Sequence, residues 1–263
     1  MIWLGLTIGN SRLHWAWNVC DTLAVAWDTD YLPARVVELA CRDAGKLPVE
    51  ILPPSAIAQW HTTKAVESQI PLYIASVVPS QTALWQTYPA AKVITLEQVP
   101  LQGIYPTLGI DRALAVLGAG RTLGYPVLAI DCGTALTFTG ADAGRLVGGA
   151  ILPGLRLQVK SLAQGTAALP ELIELPEQMP SRWALNTPGA IQSGVVYAVV
   201  AGMADFIEAW RREFPGSRIV LTGGDRARCL AYLQAAFPET ASGAIADPHL
   251  IVWGMRAVIS QEA

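Results

Sequence analysis

The sequence predicts an α/β protein built twice over, and three observations carry that expectation. Apolar strand-like runs alternate with helix-periodic stretches along the whole chain. The segment LGLTIGNSRLHWAWN has a counterpart half a chain later in LAIDCGTALTFTGAD, with Thr7 matching Asp131 and Gly9 matching Gly133. Both read as an apolar strand, a tight turn and two further strands, the mark of a duplication. No stretch is low enough in complexity, or charged enough, to serve as a disordered linker. The 263 residues therefore divide into two ordered domains, expected at 1–112 and 113–263.

The elements follow in order. Ile2–Ile8, Arg12–Val19 and Leu23–Trp27 read as strands, the first two joined by Gly9-Asn10-Ser11. Pro33–Gly45 reads as a helix through Val36, Val37, Leu39 and Ala40, stopped by Gly45; PPSAIAQWHTTKAVESQ reads as a helix capped by Ser55. PLYIASVVPS is a buried strand ending at Pro79, and AKVITLE a short one. GIDRALAVLGAGRTLG is a helix stopped by glycines. PVLAIDCGTALTFTGADAGRLVGGAILPG is strand, turn, strand, turn, strand. After the proline-punctuated stretch Leu169–Pro188, AIQSGVVYAVVAGMADFIEAWRREF is the strongest helix, with apolar positions 191, 195, 199, 203, 206 and 210, ended by Pro215-Gly216. SRIVLTGGD is a strand entering a glycine turn, and DPHLIVWGMRAVI a closing helix.

Composition narrows the class. Hydrophobic residues make up 52% and charged residues 15%, with a formal net charge of −3, which fits a globular chain with a large core. No Lys/Arg run offers the electrostatic footprint of a nucleic-acid binder. The cysteines Cys20, Cys41, Cys132 and Cys229 form no CxxC pair, so a reducing, cytoplasmic compartment is expected. The longest near-apolar run, Val195–Ala204, falls short of the ~20 residues of a membrane span, and the N-terminus lacks the features of a signal peptide. No membrane association is expected. The nine tryptophans are expected to fill core and interface.

Three glycine turns are candidate ligand contacts. At the end of a buried strand, a glycine lets the backbone approach a ligand, and N–H groups there suit phosphate oxygens. Gly9-Asn10-Ser11 and Gly133-Thr134 fit this pattern as a pair clasping one polyphosphate. Either turn alone reads better as an ordinary hairpin; the pair at matched positions points to phosphate. TGGD (Thr222–Asp225) would let a ring or ribose lie against its backbone, or is a plain strand-to-helix turn. In GIDR (Gly109–Arg112), Asp111 opens a helix; it is a dipole-favoured acid or a base beside an anion clamp. GAGRTLG ends a helix and is no dinucleotide motif. Walker-type GxxxxGK[ST], HExxH and GxSxG are absent, and His14, His61 and His249 are isolated in sequence. Gly194, Ala198 and Gly202 lie along one helix face, suited to close packing against a second copy or against the protein's own sheet.

Seven stretches in this order resemble the type III pantothenate kinases, of the acetate and sugar kinase, Hsp70 and actin superfamily. They are TIGNS, SVVP (Ser76–Pro79), GIDR, DCGTALTF (Asp131–Phe138), GGAILPGL (Gly148–Leu155), NTPGAIQSG (Asn186–Gly194) and TGGD. GIDR with DCGT…GGAILPG is the specific part, since the wider superfamily shares only the phosphate and adenosine turns.

The resemblance implies an actin-like (ribonuclease H-like) duplicated fold with a nucleotide cleft between its domains. It implies ATP-dependent phosphorylation of pantothenate, the first step toward coenzyme A. By similarity, the first ATP phosphate loop is Thr7, Ile8, Gly9, Asn10, Ser11, Arg12, Leu13 and His14. Thr134 is a further phosphate contact, and Gly223 and Gly224 face adenosine. Asp131 binds a monovalent cation, K+ or NH4+, alongside the Mg2+ of the nucleotide. Gly109, Ile110, Asp111 and Arg112 form the pantothenate motif with Asp111 as proton acceptor, and Thr187 is a second substrate contact. A homodimer is implied.

Two positions depart from the family pattern. Thr7 stands where the family usually has Asp. Gln102 stands where its substrate Tyr usually lies, seven residues before the motif glycine; Tyr105 is the nearest tyrosine and takes that role. The alternatives are a nucleotide-binding regulator on the same fold, without turnover, and a kinase for another small hydroxylated substrate.

Overall fold

The computed structural model describes residues 1–42, 52–62, 70–170 and 174–261. The expected helix stop at Gly45 and the stretch 63–69 of the second helix lie outside them. The chain folds into two compact units. One comprises Met1–Pro100, Tyr105–Leu114 and Ile251–Ala263; the other comprises Leu101–Ile104 and Ala115–Leu250. This division differs from a single cut at 112/113. The closing helix returns to the first unit, and 101–104 belong to the second because Gln102 exchanges backbone hydrogen bonds with Gly144 and Leu146.

In the first unit, β1 (Ile2–Ile8), β2 (Leu13–Val19), β3 (Thr22–Thr29), β4 (Leu72–Ser76) and β5 (Ala91–Val93) form a sheet in the order β3-β2-β1-β4-β5. The first three strands pair antiparallel, while β4 and β5 join in parallel. β1 is central, so both its faces are covered and it reads as a continuous apolar run. Leu4, Leu6 and Ile8 enter a core with Leu13, Trp15, Trp17, Ile74 and Trp85. Trp15 stacks on Trp27 and meets Trp85 edge-on, with centroids 5.9 and 5.0 Å apart. Core tryptophans were expected, whereas Trp183 in the second unit is 88% exposed.

Helices α1 (Ala34–Arg42), α2 (Pro54–Thr62) and α3 (Pro79–Trp85) complete this unit, with the first turns of α4 (Ile110–Leu123). Ser55 does not cap α2. The helix starts one residue earlier, with Pro54 in the first turn, where its missing N–H costs nothing, and Ala56 and Ile57 donating to the Pro53 carbonyl.

The second unit repeats the plan. Strands β6 (Val127–Cys132), β7 (Ala135–Asp142), β8 (Arg145–Pro153), β9 (Arg218–Thr222) and β10 (Ile245–Ala246) lie in the order β8-β7-β6-β9-β10, again antiparallel for the first three and parallel for the last two. The match is residue by residue at the turn. Thr7, last but one in β1, faces His14 on one side and Ala75 on the other. Asp131, last but one in β6, faces Thr137 and Thr222.

The helices here are α5 (Leu155–Gly165), α6 (Thr187–Glu213), α7 (Arg226–Ala236) and α8 (Pro238–Ala241). The last helix, α9 (Leu250–Ile259), returns to the first unit from its second residue on. Asn186 caps α6 by accepting from Gly189 N at 2.7 Å, with Pro188 in its first turn. By length and composition α6 is apolar enough to cross a bilayer, yet half of that window is buried within the protein. Ile191, Val195, Val199 and Met203 of α6 enter the core of the second unit. The Gly194/Ala198 face points outward, and a methyl group on Gly194 or Gly202 would meet nothing within 4 Å. The small residues therefore do not serve packing on the protein's own sheet.

Candidate active site

Each unit ends its central strand in a glycine turn beside a second strand-to-helix turn. In the first unit the turn runs from Gly9 to Arg12, closed by Gly9 N–H donating to the Arg12 carbonyl at 3.2 Å. In the second it is shorter, closed by Gly133 N–H on the Ala135 carbonyl at 3.1 Å. Both glycine N–H groups are thus spent on the hairpin. The residues at the tips, Asn10, Ser11 and Arg12 in one and Thr134 in the other, are all exposed. Ile8 and Leu13 are buried and contribute backbone only.

The first turn is braced from outside its own motif. Tyr31 Oη donates to the Gly9 carbonyl at 2.5 Å, and Asp28 takes Arg12 and His14. Thr7 is buried, and its hydroxyl lies 4.0 Å from Met255 Sδ on α9.

The second unit brings Asp131, Gly133, Thr134, Gly223 and Gly224 together. A methyl group on Gly223 would collide with Asp131 Oδ1 and lie 2.7 Å from the Cys132 carbonyl oxygen, and φ there is +85°. Only glycine fits this position. Gly154 presses equally hard on the other side, where a methyl group would collide with the Gly133 carbonyl and lie 2.8 Å from that of Thr134. Asp225 N–H donates to the Cys132 carbonyl at 2.9 Å, tying TGGD to the end of β6. The Asp225 carboxylate does not cap α7. It is buried and forked by Arg228 Nη1 at 2.7 Å and Arg156 Nε at 3.3 Å.

GIDR opens α4, in the first unit. Asp111 Oδ1 accepts from Arg112 N–H at 2.8 Å. Burial pushes its carboxyl above the ordinary value, against the pull of the Arg112 N–H and guanidinium. Tyr105 to Leu108 form a turn closed by Leu108 N–H on the Tyr105 carbonyl at 3.0 Å, with Pro106 at its second position. That turn carries Tyr105 back onto GIDR, where its hydroxyl accepts from Arg112 Nη1 at 3.0 Å. Gln102 is bridged to Arg145 in the second unit instead.

Thr187, the first residue of α6, lines a groove of about 640 Å³ with Leu162, Leu169, Leu185 and Ile191, and none of the glycine-turn residues lines it.

The model of one family, type III pantothenate kinase, matches residues 3–209. A type III pantothenate kinase of Nostoc sp. is 51% identical over 260 residues, covering 98% of this chain and 94% of that one. Those of Synechocystis sp. and Gloeobacter violaceus are 43% and 38% identical, each over 97% of this chain and over 90% and 96% of theirs. This chain belongs to the type III pantothenate kinase family.

Among solved structures, one described as a Baf family transcriptional activator, from Campylobacter jejuni, superposes with a TM-score of 0.60 at 19% identity, over 98% of each chain. A ROK hexokinase from Thermus thermophilus gives 0.50 at 11% identity, over all of both chains. Likeness at such identity concerns the fold alone, and it is the duplicated actin-like fold. The type III pantothenate kinases use ATP with a divalent metal ion. Among the described residues, no three His, Cys, Asp or Glu side chains gather as a metal cage. One carboxylate beside a glycine turn, as at Asp131, suits a cation, monovalent or divalent, that takes most of its oxygen ligands from elsewhere than the protein.

Sequence reasoning missed the residues that brace the turns: Asp28, Tyr31, Gly154 and Arg156. Gly154 was within reach, since it ends the quoted GGAILPG.

Proposed function

We propose that this chain transfers the γ-phosphoryl group of ATP to the primary hydroxyl of pantothenate, giving 4'-phosphopantothenate for coenzyme A biosynthesis. The full-length match to type III pantothenate kinases carries the reading; the paired glycine turns and the raised Asp111 carboxyl support it. The span Thr7–His14 and Thr134 hold the ATP phosphates, and Gly223 and Gly224 lie against adenosine. Asp131 holds a monovalent cation, K+ or NH4+. A bound Mg2+ supplies charge neutralisation on the phosphate oxygens. Asp111 takes the hydroxyl proton as that oxygen bonds to the γ-phosphorus and the bond to the ADP oxygen breaks. Burial gives Asp111 a higher proton affinity than an ordinary aspartate, which suits a base. Gly109, Ile110, Arg112, Tyr105 and Thr187 bind pantothenate, with Tyr105 steering the Arg112 guanidinium. The outward face of Gly194 and Ala198 supports a homodimer. The enzyme works in the cytoplasm.

The test is a coupled ADP-release assay with pantothenate against glucose, glycerol and acetate, with and without potassium. Turnover with pantothenate alone is expected. Asp111→Asn should cut kcat by ~10²–10⁴-fold, the usual cost of losing a general base. The acid limb of wild-type kcat/KM should sit above the ordinary aspartate value. Stability moves the other way. A carboxyl whose folded pKa is raised costs stability at neutral pH and recovers it as pH falls, so Asp111→Asn should raise Tm at pH 7.

A further inference from the structure

The cross-strand register places an acid at the first turn that the turn motif itself does not contain. Thr7 stands directly opposite His14 in the β1–β2 ladder, and His14 directly opposite Asp28 in the β2–β3 ladder. Directly opposed residues of antiparallel strands project from one face, so the three form a single row across the turn end of the sheet. Asp28 Oδ1 lies 2.7 Å from His14 Nδ1, and Oδ2 accepts from Arg12 Nη1 at 3.2 Å. Arg12 is the residue whose carbonyl closes the turn on Gly9. One carboxylate thus fastens both cationic-capable side chains of the turn to β3. The hydrogen bond from His14 holds its carboxyl below the ordinary value, and Arg12 adds to this, against partial burial. Asp28 is therefore an acceptor throughout the neutral range. A carboxylate at position 7 would enter the same row opposite His14 and compete for it; Thr7 leaves Asp28 as the acid of the row.

We propose that Asp28 is a positioning residue for ATP: it fixes Arg12 and His14 at the first turn, His14 as a prop whose Nε2 is buried and Arg12 with an exposed guanidinium whose remaining donors meet the phosphate tail. The proposal rests on the reading of that turn as a phosphate loop. Asp28 acts through the other two side chains and touches no reacting atom.

The test is steady-state kinetics of the full chain with ATP and pantothenate varied separately. Asp28→Asn and Asp28→Ala should each raise the ATP KM by about fivefold or more, as loss of charge-assisted hydrogen bonds does. Changes in kcat and pantothenate KM should stay within about twofold, a split that a general loss of folding would not produce. Asp28→Glu, which keeps the acceptor, should fall nearer wild type. In an Arg12→Ala/His14→Ala background, adding Asp28→Ala should change ATP KM by less than about twofold, because the residues it positions are gone. An unchanged ATP KM in both Asp28 variants, or a full-sized effect in the double-variant background, overturns the proposal. Asn10→Ala, run alongside, separates the two levels. If it raises ATP KM while Asp28→Asn does not, the positioning role alone is wrong. If neither moves ATP KM, the phosphate-loop reading is wrong and the proposal falls with it.

Discussion

A methyl group added at Gly223 would run into Asp131 Oδ1 and the Cys132 backbone, whereas one added at Gly9 would find the Arg12 carbonyl oxygen at 3.8 Å and nothing nearer. The second-unit turn is wedged between Gly154 and Gly223, backbone against backbone. The first-unit turn stands open and is held by side chains from outside it, Tyr31 on the Gly9 carbonyl and Asp28 on Arg12 and His14. Strand order and register are duplicated; the means of fixing the turn is not. Backbone packing sets geometry rigidly and leaves few acceptable residues. Side-chain bracing spreads the task over several positions, each replaceable at modest cost.

Substitutions can break this contrast. Gly223→Ala combines a collision with a positive φ and should cost about 3 kcal/mol, a fall in Tm of roughly 6–12 °C, while Gly9→Ala should move Tm by only about 1 °C. Equal shifts in calorimetry would show that the two turns are fixed alike. Asp225→Asn weakens a buried carboxylate forked by Arg156 and Arg228, so a loss of about 2 kcal/mol is expected in urea titration. Tyr31→Phe removes one hydrogen bond from the open turn and should cost about 1 kcal/mol. ATP KM should rise in the same variant. A change in stability without any change in ATP KM would detach Tyr31 from the nucleotide.

Sequence reasoning reached the four strands that flank Gly9-Asn10-Ser11 and Gly133-Thr134, because buried runs broken by Gly-Asn or Gly-Thr leave a local signature. It missed α3, α5 and α7. α5 buries Leu155 and Val159 and α7 buries Cys229, Tyr232 and Leu233, short periods that follow directly on glycine turns and read as part of them. The turns and GIDR were legible as strings. Asp28 was not, because its tie to His14 exists only once β2 and β3 pair in one particular register. Tyr105 lay between these cases. Its nearness to GIDR in the sequence was visible, but its bond to Arg112 needed the Pro106 turn closed.

The most direct test of the account is the magnesium dependence of pantothenate phosphorylation by wild type and Thr7→Asp. Thr7 offers one neutral oxygen, so metal should arrive mainly with the nucleotide. The account predicts a working wild-type enzyme with a high magnesium requirement. Thr7→Asp should shift the magnesium midpoint lower and leave pantothenate KM nearly unchanged. Wild type that binds ATP yet phosphorylates no pantothenate at any magnesium concentration would contradict it.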